Sequence, residues 1–231
     1  MNKFAKVFAF VAVLMTAHTA FSQDNSTSLK EISNDGPFTL KPLAWRIFAG
    51  PEMAFLAEGD QSVMKGGMLG VNAGIDINKR FNKTTYGIVG VNLVSGGFER
   101  WVNDNTSKTK SSYDKYTTIE IPLGIGFDFG KNPPLGFFTN VSFINSFTTT
   151  SSSEFSSVPF TSFEVSTNVK NNTLDFYNFG AKVEFGVKCK VEKNNYSSFS
   201  LSFKPMFLNR LSTNTSQYTS LNAAAIAAFY F

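Results

Sequence analysis

The chain has one histidine and one cysteine in 231 residues, and beyond its N-terminal segment it has no apolar run long enough to cross a membrane as a helix. Each scarcity excludes something. The histidine, His18, falls in a segment read below as a cleaved signal, so the mature chain lacks the usual base of hydrolases and proteases. Cys189 has no partner for an internal disulfide, and a single cysteine without histidine leaves no metal-ligand cluster. A spanning helix needs about 20 apolar residues. The formal charge is only +4, and Lys3 and Lys6 supply two of those charges, so the balance gives no argument for nucleic acid. Gly66-Gly67 and Gly124-x-Gly126 are not followed by helices and are not phosphate loops.

What is present is phenylalanine, 26 residues of it, with abundant serine, threonine and asparagine. That mixture suits walls with one face in hydrocarbon and the other on a polar interior. The pattern is clearest from Thr117 to Phe129, where Ile119, Ile121, Leu123, Ile125, Phe127 and Phe129 alternate with Glu120, Pro122, Gly124, Gly126 and Asp128. Period two marks a strand. An unbroken apolar face opposite carboxylates and glycines marks a transmembrane β-barrel strand.

Further alternating stretches run from Leu43 to Ala49, Met68 to Asn78, Tyr86 to Ser95, Gly136 to Phe147, Tyr177 to Lys188, about Ser198 to Phe207, and Tyr218 to Phe231. In these, Ile88, Val94, Phe138 and Ile144 break the alternation. Eight strands, with long and short connections in turn, predict an all-β fold: a transmembrane antiparallel up-and-down β-barrel. The polar segments 96–112 and 148–173 read as extracellular loops, the second with a hairpin extension around Phe160 to Val165. Pro122 and Pro205 need bulges or strand ends, because a closed barrel has no edge strand to hide them.

Lys3 and Lys6, an apolar run from Val7 to Ala17 and the sequence Ala20-Phe21-Ser22 describe a secretory signal cleaved after Ser22. No cysteine follows to accept a lipid. Residues 1–22 are thus the signal, 23–42 a periplasmic lead-in around the turn cluster Asn34-Asp35-Gly36-Pro37, and 43–231 the barrel. A short plug inside the barrel is the other reading of the lead-in.

Arg46, Asp76, Glu120, Lys182, Glu184 and Lys204 share the inward phase of their strands. They predict a lumenal polar network, since eight strands leave room inside only for side chains. A narrow pore or ligand pocket is the alternative. Glu120 with Glu184 could serve as acid and base, but lumenal carboxylates more often balance lysines, and no catalytic, metal or cofactor site is expected. Three classes of function remain open: an integral barrel acting by surface binding or envelope integrity through its loops, a soluble exported ligand-binding barrel, and a barrel enzyme. Charges sharing the phase of the glycines oppose the second, and the missing histidine opposes the third. Partners expected of the first are outer-membrane lipids and lipopolysaccharide, with the protein itself a monomer.

Tyr116 to Leu123, with Glu120-Ile121-Pro122-Leu123 at its core, resembles a strand motif of the PorT-like outer-membrane β-barrel family. A signal ending Phe21-Ser22-Gln23 and a final aromatic strand are similar to the same group. The resemblance implies insertion by the barrel-assembly machinery after delivery by periplasmic chaperones, with Phe231 and Phe229 as the assembly signal. The namesake's part in type IX secretion, or another transport-accessory role, is not marked by any residue here.

Overall fold

The computed structural model describes residues 42–56, 63–102, 107–129, 135–159, 166–171, 174–192, 195–211 and 214–231. The signal and all but the last residue of the lead-in lie outside the described residues, as do the turn 130–134 and the hairpin tip 160–165. Nine strand segments follow one another: β1 (Leu43–Leu56), β2 (Val63–Arg80), β3 (Thr85–Val102), β4 (Ser107–Phe129), β5 (Leu135–Pro159), β6 (Ser166–Asn171), β7 (Tyr177–Glu192), β8 (Asn195–Leu211) and β9 (Asn214–Tyr230). All pairings are antiparallel, in the order β4-β3-β2-β1-β9-β8-β7-β5-β6, and β4 pairs with β5 to close the ring.

The ninth segment does not add a ninth wall position. β7 pairs with the lower half of β5, ending at Phe147 opposite Tyr177, while β6 pairs with its upper half from Ser152 opposite Asn171. Thr148 N donates to Phe176 O at 2.8 Å between them, so β6 and β7 continue one column. The barrel is therefore eight-stranded.

Inward positions carry even numbers in all eight columns, which is why one parity rule serves the whole sequence. The exception is informative. Thr117 and Thr118 of β4 face Thr150 and Thr148 of β5, leaving Thr149 as an extra residue whose hydroxyl donates to Thr117 O at 2.9 Å. That bulge reverses the phase of β5 above it, so Ser151 and Ser153 are buried inside.

The strands run well past the alternating stretches. β3, β4, β5 and β6 fill most of segments 96–112 and 148–173, expected to be loops, and form a sheet standing above the wall. Outward side chains there are mixed: Lys115 pairs with Glu154 at 3.9 Å, both well exposed, and Val169 opposite Glu154 is exposed as well. Leaving the hydrocarbon removes the demand for alternation but not the hydrogen bonding of the ladder.

The expectation that prolines sit at bulges or ends is overturned. Pro122 and Pro205 lie mid-strand, and Pro51 joins them. Each keeps its pairing on one side, with Ile144, Leu221 and Val71 respectively. On the other side the ladder skips the position: β4 toward β3, β8 toward β7, and β1 toward β9. A residue's N–H and C=O point to the same neighbour, so one missing donor weakens one seam only. At the third seam Gly50 completes the accommodation, because a Cβ there would run into the backbone of Ala225.

Outward, Ile47 (51 % exposed), Leu69 (70 %), Leu93 (55 %), Phe137 (65 %) and Phe199 (61 %) form an apolar belt. Phe143, Phe179 and Phe207 stack along it at 6.2 and 5.0 Å between centroids, and Phe185 meets Phe203 at 5.9 Å. Ile121 shares this phase but is fully covered. The inside is charged and buried, so polarity is inverted relative to a soluble barrel. Among the described residues no helix crosses a membrane; the strands do.

Candidate functional site

The lumen is where the chain concentrates its chemistry. It holds three tiers of ion pairs, counted from the end where the chain's short turns lie.

In the lowest tier Lys188 Nζ donates to Asp128 Oδ1 at 2.6 Å, and Arg80 pairs with the other oxygen of the same carboxylate. The ammonium also lies 4.5 Å from the Tyr86 ring centroid, 4.8 Å from Phe138 and 4.9 Å from Tyr230, an aromatic cage for a buried cation. Tyr86 owes its place to Gly126, since a Cβ there would overlap its ring.

The middle tier centres on Glu184, which is wholly buried. It pairs with both terminal nitrogens of Arg46, the longer contact being 3.2 Å, and accepts from Ser200 Oγ at 2.6 Å and Asn140 Nδ2 at 3.3 Å. Lys182 Nζ stands 3.5 Å away, and Arg46 also reaches Asp76 at 3.1 Å. Tyr86 links this tier to the one below, accepting from Lys188 at 3.2 Å and donating to Asn140 Oδ1 at 2.7 Å.

In the upper tier Lys204 Nζ bridges Glu120 Oε1 at 2.7 Å and Glu52 Oε1 at 3.0 Å. Asn72 and Asn222 donate to Glu52 at 2.8 and 2.7 Å. Each member of this triad neighbours one of the interrupting prolines in sequence: Pro51 before Glu52, Pro122 two after Glu120, Pro205 after Lys204.

All six residues placed inward by sequence are thus buried in the lumen, but in two groups: Arg46, Asp76, Lys182 and Glu184 meet in the middle, Glu120 and Lys204 above them. Sequence reasoning missed Glu52, which lies past the alternating stretch that ends at Ala49, and did not select Arg80, Asp128 or Lys188. Their even numbers were the available signal.

Apolar side chains pack beside the charges and above them, the first cluster including Phe48 and Tyr230, whose rings lie 4.8 and 5.8 Å from the Arg46 guanidinium. Phe48, Tyr196, Ala224, Ile226, Ala228 and Tyr230 form one cluster. The other contains Val94, Phe98, Tyr116, Ile144, Leu174 and Met206 at the upper mouth. Ile88, Val94, Phe138 and Ile144, which break the outward pattern, are buried inside: Val94 and Ile144 in the upper cluster, Phe138 against the Lys188 ammonium. Above the belt, the Tyr113 hydroxyl donates to Glu99, and that hydrogen bond to a carboxylate raises the phenol's pKa. Among the described residues no three of His, Cys, Asp and Glu converge to hold a metal ion.

Phe229 and Phe231 lie outside the wall, their rings 6.3 Å apart, and Phe231 exchanges backbone hydrogen bonds of 3.0 and 3.1 Å with Trp45 across the closing seam. No protein-family model matches the chain, and no curated protein matches it. Solved structures do. Neisserial surface protein A is 13% identical over 82% of this chain and 96% of its own, with a TM-score of 0.49. Ail, the attachment invasion locus protein of Yersinia pestis, is 11% identical over 81% and 98%, with a TM-score of 0.38. The outer membrane protein OprG of Pseudomonas aeruginosa is 8% identical over 85% and 99%, with a TM-score of 0.42. At such identities the likeness is one of fold.

Proposed function

We propose that the chain is an integral outer-membrane barrel without enzymatic activity, and that it works by surface binding or envelope integrity through the sheet raised above its wall. The inverted polarity carries this reading: a continuous apolar exterior around a lumen of paired charges has hydrocarbon as its solvent. Loop-borne function follows from the interior, which eight strands leave only wide enough for the buried ion pairs and apolar side chains that occupy it. Lipopolysaccharide and outer-membrane lipids would meet the belt, and the barrel-assembly machinery would receive β9 with Phe229 and Phe231. The motif Glu120-Ile121-Pro122-Leu123 supports kinship with the PorT-like group. The raised strands replace the loop as the functional surface, so an epitope belongs between Pro159 and Ser166 and not inside β5. Antibody binding to intact cells, together with outer-membrane fractionation and a heat-modifiable gel band, is the expected result. Recovery in the soluble periplasmic fraction would overturn the proposal.

A further inference from the structure

Lys204 and Asn222 face each other directly across the seam between β8 and β9, which puts their Cβ atoms about 4.5–5.5 Å apart. Of the lysines in the three tiers, Lys204 alone meets an amide in this way: Lys182 faces Ser142, and Lys188 faces Gly136 and Ser198. Both side chains end on one oxygen. Glu52 Oε1 lies 3.0 Å from Lys204 Nζ and accepts from Asn222 Nδ2 at 2.7 Å, while Glu120 Oε1 accepts from the same ammonium at 2.7 Å. On the other side of the amide, Ser220 Oγ donates to Asn222 Oδ1 at 3.2 Å, and Tyr116 Oη accepts from Nδ2 at 3.2 Å. All six residues are buried, and Val94, Phe98 and Met206 cluster with Tyr116.

We propose that Lys204 and Asn222 join in an intramolecular isopeptide bond, which the folded barrel forms once on itself without turnover. Lys204 Nζ is the nucleophile and Asn222 Cγ the electrophile, already held together by the fold. A lysine attacks only as the free amine, and Glu120, hydrogen-bonded to the ammonium, accepts that first proton. A transfer that replaces an ion pair with a neutral pair is one that a poorly solvated interior assists. The Nζ–Cγ bond forms as the carbonyl electrons move onto Oδ1, where the Ser220 hydroxyl stabilises them. Glu52, in contact with both nitrogens, takes the second proton from Nζ and delivers it to Nδ2; the Cγ–Nδ2 bond breaks and ammonia leaves. The proton on Glu120 stays behind in place of the lysine's charge, so the charge balance of the lumen is unchanged. Glu52, Glu120, Lys204 and Asn222 come from β1, β4, β8 and β9, so the step requires the closed ring.

The test is tryptic peptide mapping by mass spectrometry of folded protein extracted from the membrane, beside the same chain kept in denaturant and never folded. Trypsin cuts after Lys193 and Arg210 and spares the Lys204-Pro205 bond, so residues 194–210 and 211–231 carry the two partners. Folded wild type should yield them as one joined species, lighter than their sum by the ammonia lost, about 17 Da. The chain that never folded should yield them apart. Folded Lys204→Arg, which keeps a cation but removes the nucleophile, and folded Glu52→Gln should also yield them apart. Separate peptides from folded wild type would overturn the proposal, whether or not the variants fold. A joined species persisting in Lys204→Arg would overturn it too, by placing the link at another residue, and one persisting in Glu52→Gln would overturn the proton transfer assigned to that carboxylate.

Discussion

Replacing Glu184 with alanine would leave Arg46 and Lys182 facing Asp76 alone, one positive charge uncompensated at the centre of the barrel. The hydroxyl of Ser200 would lose its 2.6 Å acceptor and Asn140 its 3.3 Å acceptor. Breaking a buried pair by removing one partner costs about 3–5 kcal/mol. For a chain of this size each kcal/mol is worth ~2–4 °C, so Tm should fall by roughly 6–20 °C. The matched control is Glu154→Ala, whose partner Lys115 lies 3.9 Å away with both side chains about half exposed. An exposed pair contributes about 0–1 kcal/mol, and the control should barely move. The assay is the temperature at which the folded band disappears from a detergent gel. Removing both members, as Arg46→Leu with Glu184→Leu, keeps the tier neutral and should recover part of the loss, a non-additivity visible in a double-mutant cycle. Equal shifts for Glu184→Ala and Glu154→Ala would refute the idea that the lumen is a dry, tightly paired network.

The same packing predicts that wild type shows no stable single-channel conductance in a planar bilayer; reproducible openings would mean that the tiers do not fill the lumen. Phe231→Asp should lower outer-membrane levels while leaving export intact, because the residue closes the seam with Trp45; unchanged levels would remove it from assembly. Gly126→Val would drive its side chain into Tyr86 and should cost about 1–3 kcal/mol by overpacking, seen as a lower unfolding temperature; an unchanged value would show that Tyr86 is free to move aside.

The inward and outward phases were legible because hydrocarbon and lumen make opposite demands on neighbouring residues. Where those demands stop, legibility stops with them. Ser151 to Ser153 read as loop because both sides of β5 are polar there, yet the backbone continues to pair with Asp114 to Tyr116. Glu52 was lost for a related reason: Gly50 and Pro51 beside it are ordinary turn residues, and only the register of β1 against β2 shows that the strand passes through them. Ile88, Val94, Phe138 and Ile144 looked like faults in an alternation that assumed a wholly polar interior. The interior holds apolar side chains as well as charges, and all four are buried there, Val94 and Ile144 within the upper cluster. Pairing partners across the lumen, such as Arg46 with Glu184, depend on curvature that no local pattern encodes.

The closing seam has a consequence for how the barrel comes into being. β1 pairs with β9, Arg46 opposite Tyr230, so the ring joins residues from nearly opposite ends of the chain. Contacts of that sequence separation are slow to form, because the intervening chain must first give up its freedom. Until β9 arrives, β1 and β8 each present a bare edge, and the apolar exterior has no lipid against it. Such edges invite pairing with other chains. The unfinished protein is therefore hazardous in water, and its lifetime there must be kept short or spent in the grip of a holding partner.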